Sequence, residues 1–232
     1  MPDQLPARQS ELWLLIGLAV LSGLLGRVWP FHLLLYPFVL FNTFIHEMSH
    51  GLAALLTGGS WLNFVVREDG SGQAITAGGV RWIISSAGYV GSALAGGGLL
   101  LLATKVSTAR HVLLGLGIVF GLLCLLYVRN IFGILVGVAM TAALVWAGLK
   151  LQERWANLLL LFLAVQTGLN ALDSLFGLMK LSTFHRGQVT DAANMQQATG
   201  VPSVVWALLW SGLAGLILWQ AIRLAYFGRS GA

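Results

Sequence analysis

Long apolar runs broken by short polar islands set the rhythm of this 232-residue chain. Bounded by charges, glycine or proline, the runs predict seven membrane helices, at about 12–29, 31–57, 82–104, 110–128, 130–149, 155–179 and 203–223. Each approaches the ~20 residues needed to cross a hydrocarbon core. Two polar stretches between them have room for structure of their own. The first, Gly58–Arg81, has short β-prone runs either side of Asp69-Gly70 and predicts a small hairpin on, or dipping into, the membrane. In the second, Lys180–Pro202, Thr190 predicts the cap of a short helix, and Gly200-Val201-Pro202 ends it before the last run.

Composition sharpens this picture. Hydrophobic residues make up 57% of the chain and charged ones only 9%, where a soluble domain carries roughly 25% charged residues. A soluble core of this composition would leave far too much apolar surface uncovered. The expected fold class is therefore an all-α polytopic membrane protein, with about seven transmembrane helices and a short hairpin-like segment after the second. The chain reads as a single membrane domain over 1–232, with its core over about 31–212 and the β segment within 58–81. The apolar run at 12–26 follows Arg8 and lacks an A-x-A-like cleavage site, so it reads as a retained helix.

Net charge is +5, yet the basic residues, among them Arg27, Arg67, Arg81, Lys105, Arg110, Arg129, Lys150, Arg154 and Arg223, sit at helix ends. Most of the nine tryptophans also fall there. This is the pattern of headgroup anchoring, and it argues against a nucleic-acid surface. Cys124 is the only cysteine, which excludes an intrachain disulfide.

The candidate chemistry lies in the second run, at His46-Glu47-Met48-Ser49-His50. This spacing sets two imidazoles one helical turn apart on one face with a carboxylate beside them, the arrangement that holds zinc together with a general base. By helical rise His46 lies about 24 Å from Pro30 and about 17 Å from Thr57, hence within the bilayer. Two histidines and a glutamate at that depth are costly unless they are paired or coordinated.

A catalytic zinc needs a third protein ligand and an open position for water. His32, His111, Glu153 and Glu11 are placed too far away by their helices, Cys124 reads as core, and Glu68, Asp69 and His185 read as solvated loop residues. Asp173 and Asp191 remain. Asp173 ends a strongly apolar helix that runs toward the motif side, where an unpaired carboxylate is expensive, and it is the preferred ligand beside His46 and His50. Asp191 lies on the same side but in a polar segment, where a helix-start role accounts for it without metal, and it stands as the alternative ligand. Glu47 would take the proton of the attacking water and return it to the leaving amine. Asn170, one turn before Asp173, would orient substrate or bond between helices.

Several segments in order carry a family likeness. Phe44-Ile45-His46-Glu47-Met48-Ser49-His50-Gly51 looks like a zinc-binding helix, and Gly58–Gly72 like the membrane-associated β segment that follows it. Ser86-Ala87-Gly88-Tyr89-Val90-Gly91-Ser92 looks like a variant Gly-Pro-x-x-Asn motif, with Tyr89 in place of proline and Ser92 in place of asparagine. Leu169-Asn170-Ala171-Leu172-Asp173 looks like a reduced Asn-Pro-Asp-Gly region, and Ser182–Trp210 like a tail of the small branch. Over most of residues 36–212 the chain resembles the site-2-protease type of intramembrane zinc metallopeptidase, in its small bacterial peptidase-like branch. That resemblance implies hydrolysis of peptide bonds in or near membrane-spanning segments, a zinc cofactor, a membrane protein or peptide as substrate, and a place in a bacterial cell membrane. A non-proteolytic metal-binding membrane protein (a sensor, a chaperone or an inactive member) is the alternative. A transporter is disfavoured, because the chain shows no obvious halves and few midplane charges.

Overall fold

The computed structural model describes residues 4–26, 28–104, 106–184 and 190–227; Arg27, Lys105 and His185 lie outside them. Its elements in chain order are α1 (Gln4–Leu25), α2 (His32–Leu56), β1 (Ser60–Val66), β2 (Gly72–Ala77), α3 (Arg81–Ala103), α4 (Ala109–Tyr127), α5 (Ile131–Lys150), α6 (Glu153–Phe184), α7 (Asp191–Thr199) and α8 (Ser203–Ile222).

Among the described residues, five helical stretches are long and apolar enough to cross a membrane: α3, α4, α5, Glu153–Asp173 of α6, and α8 with its continuation to Phe227. Two helices of the expected seven are not confirmed as spans. The apolar part of α1, Glu11–Leu25, is short. α2 has the length, 25 residues, but carries Asn42, Thr43, His46, Glu47, Ser49 and His50 along one stretch. Large apolar side chains point outward from the bundle, including Ile118, Leu122, Leu125, Ile131, Leu135 and Val138. Water would not tolerate that surface and acyl chains match it, so the chain is an integral membrane protein.

α2 is buried on most of its circumference from Leu40 onward, and one face of it meets the hairpin and α4. Leu40, Phe44, Glu47, Met48, Gly51 and Ala54 are buried, recurring at the three- and four-residue spacing of a helix face. Phe44 meets Phe64 of β1 edge-on at 5.4 Å and Phe120 of α4 at 4.9 Å. Trp61 stacks on Tyr127 at 3.7 Å and lies across Gly51, where an added Cβ would come within 2.0 Å of the indole. Gly51, one residue past the second histidine, therefore lets the hairpin seat directly on the motif helix.

The hairpin forms where the turn residues of the polar segment predict it. β1 and β2 pair antiparallel, Phe64 opposite Ala74 and Val66 opposite Gly72, with a bulge between Trp61 and Asn63. Gly70 closes the turn at φ +84°, a left-handed conformation that favours glycine. Two hydroxyls of α2 hold that turn: Tyr36 Oη donates to the Glu68 carbonyl and Thr43 Oγ1 to the Gly70 carbonyl at 2.6 Å.

The two strand edges have different fates. The outer edge of β1 is covered by the α4–α5 connection, where Phe64 bridges Val128. There the Asn130 carboxamide imitates a strand, accepting from Val66 N–H at 3.1 Å and donating to the Val66 carbonyl at 2.6 Å. The free edge of β2 faces α2.

α7 is capped as expected. Thr190 Oγ1 accepts from Ala193 N–H at 3.1 Å, and Gly200 ends the helix at φ +75°. Ala192 and Met195 are fully buried against Tyr89, Leu175, Ala207 and Trp210. That apolar contact turns the start of α7 back toward α2.

Candidate metal centre

The imidazoles of His46 and His50 project from the same side of α2 with Nε2 atoms 3.1 Å apart. α7 brings the Asp191 carboxylate to both: Oδ2 is 3.4 Å from His46 Nε2 and 3.3 Å from His50 Nε2. Among the described residues this is the group of histidine, cysteine and acidic side chains placed to hold a metal ion. A tetrahedral ion with bonds of about 2.0–2.1 Å spaces its ligands roughly 3.3 Å apart, so three nitrogen and oxygen donors at these separations fit zinc.

Two further observations bear on the fit. His50 Nδ1 lies 2.6 Å from the Ile84 carbonyl. A carbonyl only accepts, so Nδ1–H donates there and the ring turns its Nε2 to the group, the orientation that outer partners give metal-binding histidines. Gly88 of α3 faces both rings, and a Cβ there would stand 2.4 Å from each Nε2. The bare α-carbon keeps clear the space that both nitrogens border.

Asp191 begins α7, where a carboxylate is favoured by the helix dipole. Burial pushes its carboxyl upward, but the His50 and His46 imidazoles pull it down harder, and it is held well below the usual carboxylate range.

Asp173, the preferred third ligand from sequence, is exposed on α6 and does not join the group. That expectation is corrected in favour of Asp191. The direction of a helix gives the depth of a residue but not the side it faces, and α6 carries Asp173 away from the imidazoles. Asn170 likewise is not among the residues lining the cleft. Cys124 is buried in the core, its sulfur against Gly137.

Glu47 lies about 100° round the helix from His46 and turns toward the hairpin. Ala74 N–H of β2 donates to Glu47 Oε2 at 2.6 Å. The approach is close: a Cβ on Gly72 would meet Glu47 Cγ at 2.6 Å. Because the Ala74 amide points away from β1, the amides two residues either side, at Gly72 and Thr76, point the same way.

Glu47, His46, His50 and Asp191 open onto one cleft of about 950 Å³. The hairpin contributes Arg67, Gln73 and Thr76 to its wall, α3 contributes Arg81, Ser85 and Tyr89, and α7 contributes Thr190 and Asn194. Sequence reasoning did not place Gly88, Tyr89 and Ile84 beside the histidines. A signal for the first was present, since Gly88 and Gly91 sit three apart, and Gly91 is pressed against Ser49 as Gly88 is against the histidines.

Gly88→Ala is expected to separate metal binding from folding. Alanine in a helix interior is favoured over glycine by roughly 0.5–1 kcal/mol, so propensity alone would preserve or raise the melting temperature. The added methyl enters the space between the imidazoles, and the zinc content of the purified protein should fall sharply. A variant that retains full zinc would show that this space is not where the ion sits.

The sequence model of one family, described as Peptidase M50B-like, matches residues 15–221 of the chain. No curated protein and no solved structure matches it.

Proposed function

The chain belongs to the Peptidase M50B-like family, within the site-2-protease family of zinc metallopeptidases, and from that premise we propose that it hydrolyses peptide bonds in or beside membrane-spanning segments of other proteins. The observation that carries this reading is the convergence of His46, His50 and Asp191 beside Glu47 in one cleft. His46, His50 and Asp191 would hold zinc, and the ion when bound supplies Lewis-acid polarisation of a carbonyl and acidification of water.

The chain's own residues do the rest. Glu47 is the base that takes the proton of the attacking water and the acid that returns it to the leaving amine. Its partner amide at Ala74 holds the carboxylate toward the cleft. Ile84 fixes the orientation of His50 through its carbonyl.

The hairpin serves the substrate. A helical segment keeps each amide carbonyl bonded within its own helix, so the segment must unwind before water can attack. The outer edge of β2, with the amides of Gly72 and Thr76 turned to the same side as the Ala74 amide that Glu47 holds, offers such a segment a strand to pair with. The bilayer is its second partner, and a bacterial cell membrane is the proposed location.

Metal removal tests the reading. The protein is reconstituted in liposomes with a library of single-span polypeptides, and fragments are read by mass spectrometry. Cleavage is expected to stop on exhaustive chelation and to return on adding zinc. Cleavage that persists in the metal-free protein would overturn the mechanism.

A further inference from the structure

One hydroxyl in the cleft has no part in the chemistry above. Tyr89 follows Gly88 on α3 and lines the cleft beside Glu47 and Asp191. Its ring lies edge-on to His46, with centroids 4.7 Å apart and planes at 85°. It also stacks on Trp210 of α8, at 5.2 Å and 16°. Trp210 is fixed in turn by its indole N–H, which donates to Ser86 Oγ at 3.0 Å. The Tyr89 ring is thus held against two other rings and only 8% exposed, yet its hydroxyl makes no hydrogen bond with a described residue. A ring that served packing alone could be phenylalanine, whereas a phenol on the wall of the cleft has a proton to donate there.

We propose that Tyr89 is a catalytic residue, its Oη–H donating to the oxyanion that forms when water adds to the scissile carbonyl; this rests on the hydrolytic reading above. In the addition, the water oxygen bonds to the carbonyl carbon while its proton passes to Glu47. The carbonyl π pair moves onto oxygen, and Tyr89 stabilises that charge by hydrogen bonding without giving up its proton. Collapse restores the carbonyl and breaks the C–N bond, and the proton on Glu47 leaves on the amine.

The geometry divides the labour. Glu47 is held from the hairpin wall by Ala74, while Tyr89 belongs to the α3 wall, against His46. Donors held rigid in a water-poor site stabilise developing charge most, because they need not reorganise as the charge appears. The ring contacts with His46 and Trp210 supply that rigidity.

Tyr89→Phe isolates the hydroxyl, since the phenyl ring keeps both ring contacts. With a span polypeptide that the wild type cleaves, kcat is expected to fall about 10²-fold, with KM, zinc content and melting temperature as in the wild type. A second measurement does not depend on turnover. A phosphinic peptide, whose charged tetrahedral oxygens imitate the addition product, should bind the zinc-loaded variant roughly 10–100-fold more weakly, while the unreacted peptide of the same sequence binds both proteins equally.

A kcat and a phosphinate affinity that match the wild type would overturn the proposal and leave the role of Glu47 intact. Loss of zinc in Tyr89→Phe would overturn it too, by making the tyrosine a support for His46. A wild type that cleaves no more than its Glu47→Gln counterpart would remove the hydrolytic reading, and this proposal with it.

Discussion

Glu47→Gln is expected to leave the protein folded and loaded with metal while hydrolysis drops by about 10²–10⁴-fold, the range that a positioned acid–base group contributes. The substitution is nearly isosteric at a buried site. The carboxamide oxygen it introduces can still accept from Ala74 N–H, the bond that ties the hairpin to α2. What disappears is the ability to receive a proton from water and pass it on. The carboxylate is not among the three side chains grouped around the metal position, so zinc content should match the wild type. The pair of measurements distinguishes a peptidase from a membrane protein that only binds metal: cleavage at the wild-type rate in Glu47→Gln would sink the proposed chemistry.

Asp191→Ala is expected to strip the metal, and Asp173→Ala to leave it in place. The Asp191 carboxylate stands within 3.4 Å of both imidazole nitrogens, whereas Asp173 is exposed on α6. Removing an outer partner of a metal ligand lowers affinity about 10–100-fold, and removing a direct ligand should exceed that. The cost to α7 itself is small. A carboxylate in a first helical turn contributes roughly 0.3–1 kcal/mol, while Thr190 still caps the helix and Ala192 and Met195 still bury its apolar face. Metal analysis of the two purified variants beside the wild type decides the matter. Zinc retained in Asp191→Ala and lost in Asp173→Ala would reverse the assignment.

Much of the architecture was legible because membrane helices and tight turns are local. Apolar runs bounded by charge predicted most helix positions to within a few residues, and Asp69-Gly70 marked a turn that Gly70 closes at positive φ. Thr190 and Gly200 marked the ends of α7 from their cap chemistry alone. The His46–His50 pair was legible for the same reason, since four residues along a helix return a side chain to the same face.

What the chain's pattern could not show involves residues far apart in sequence. The match of Asn130 to Val66, which closes the β1 edge and leaves β2 free, joins positions 64 residues apart. Gly88 reads as one more small residue of a membrane helix until α3 is laid against α2. The number of spans also depended on context, because a 25-residue helix carrying a polar motif fails as a simple apolar span yet keeps its place in the bundle.

The amino-acid order by itself determined a helical membrane chain with a hairpin after the second helix and a histidine pair beside a carboxylate, since each of these depends on periodicity within one element. Which aspartate completes the group, which glycine leaves it room, and which tyrosine and strand edge face it were decided only by tertiary packing. The azimuth of one helix against another is set by the burial of residues such as Ala192, Met195 and Trp61, and no spacing along a single helix contains that angle.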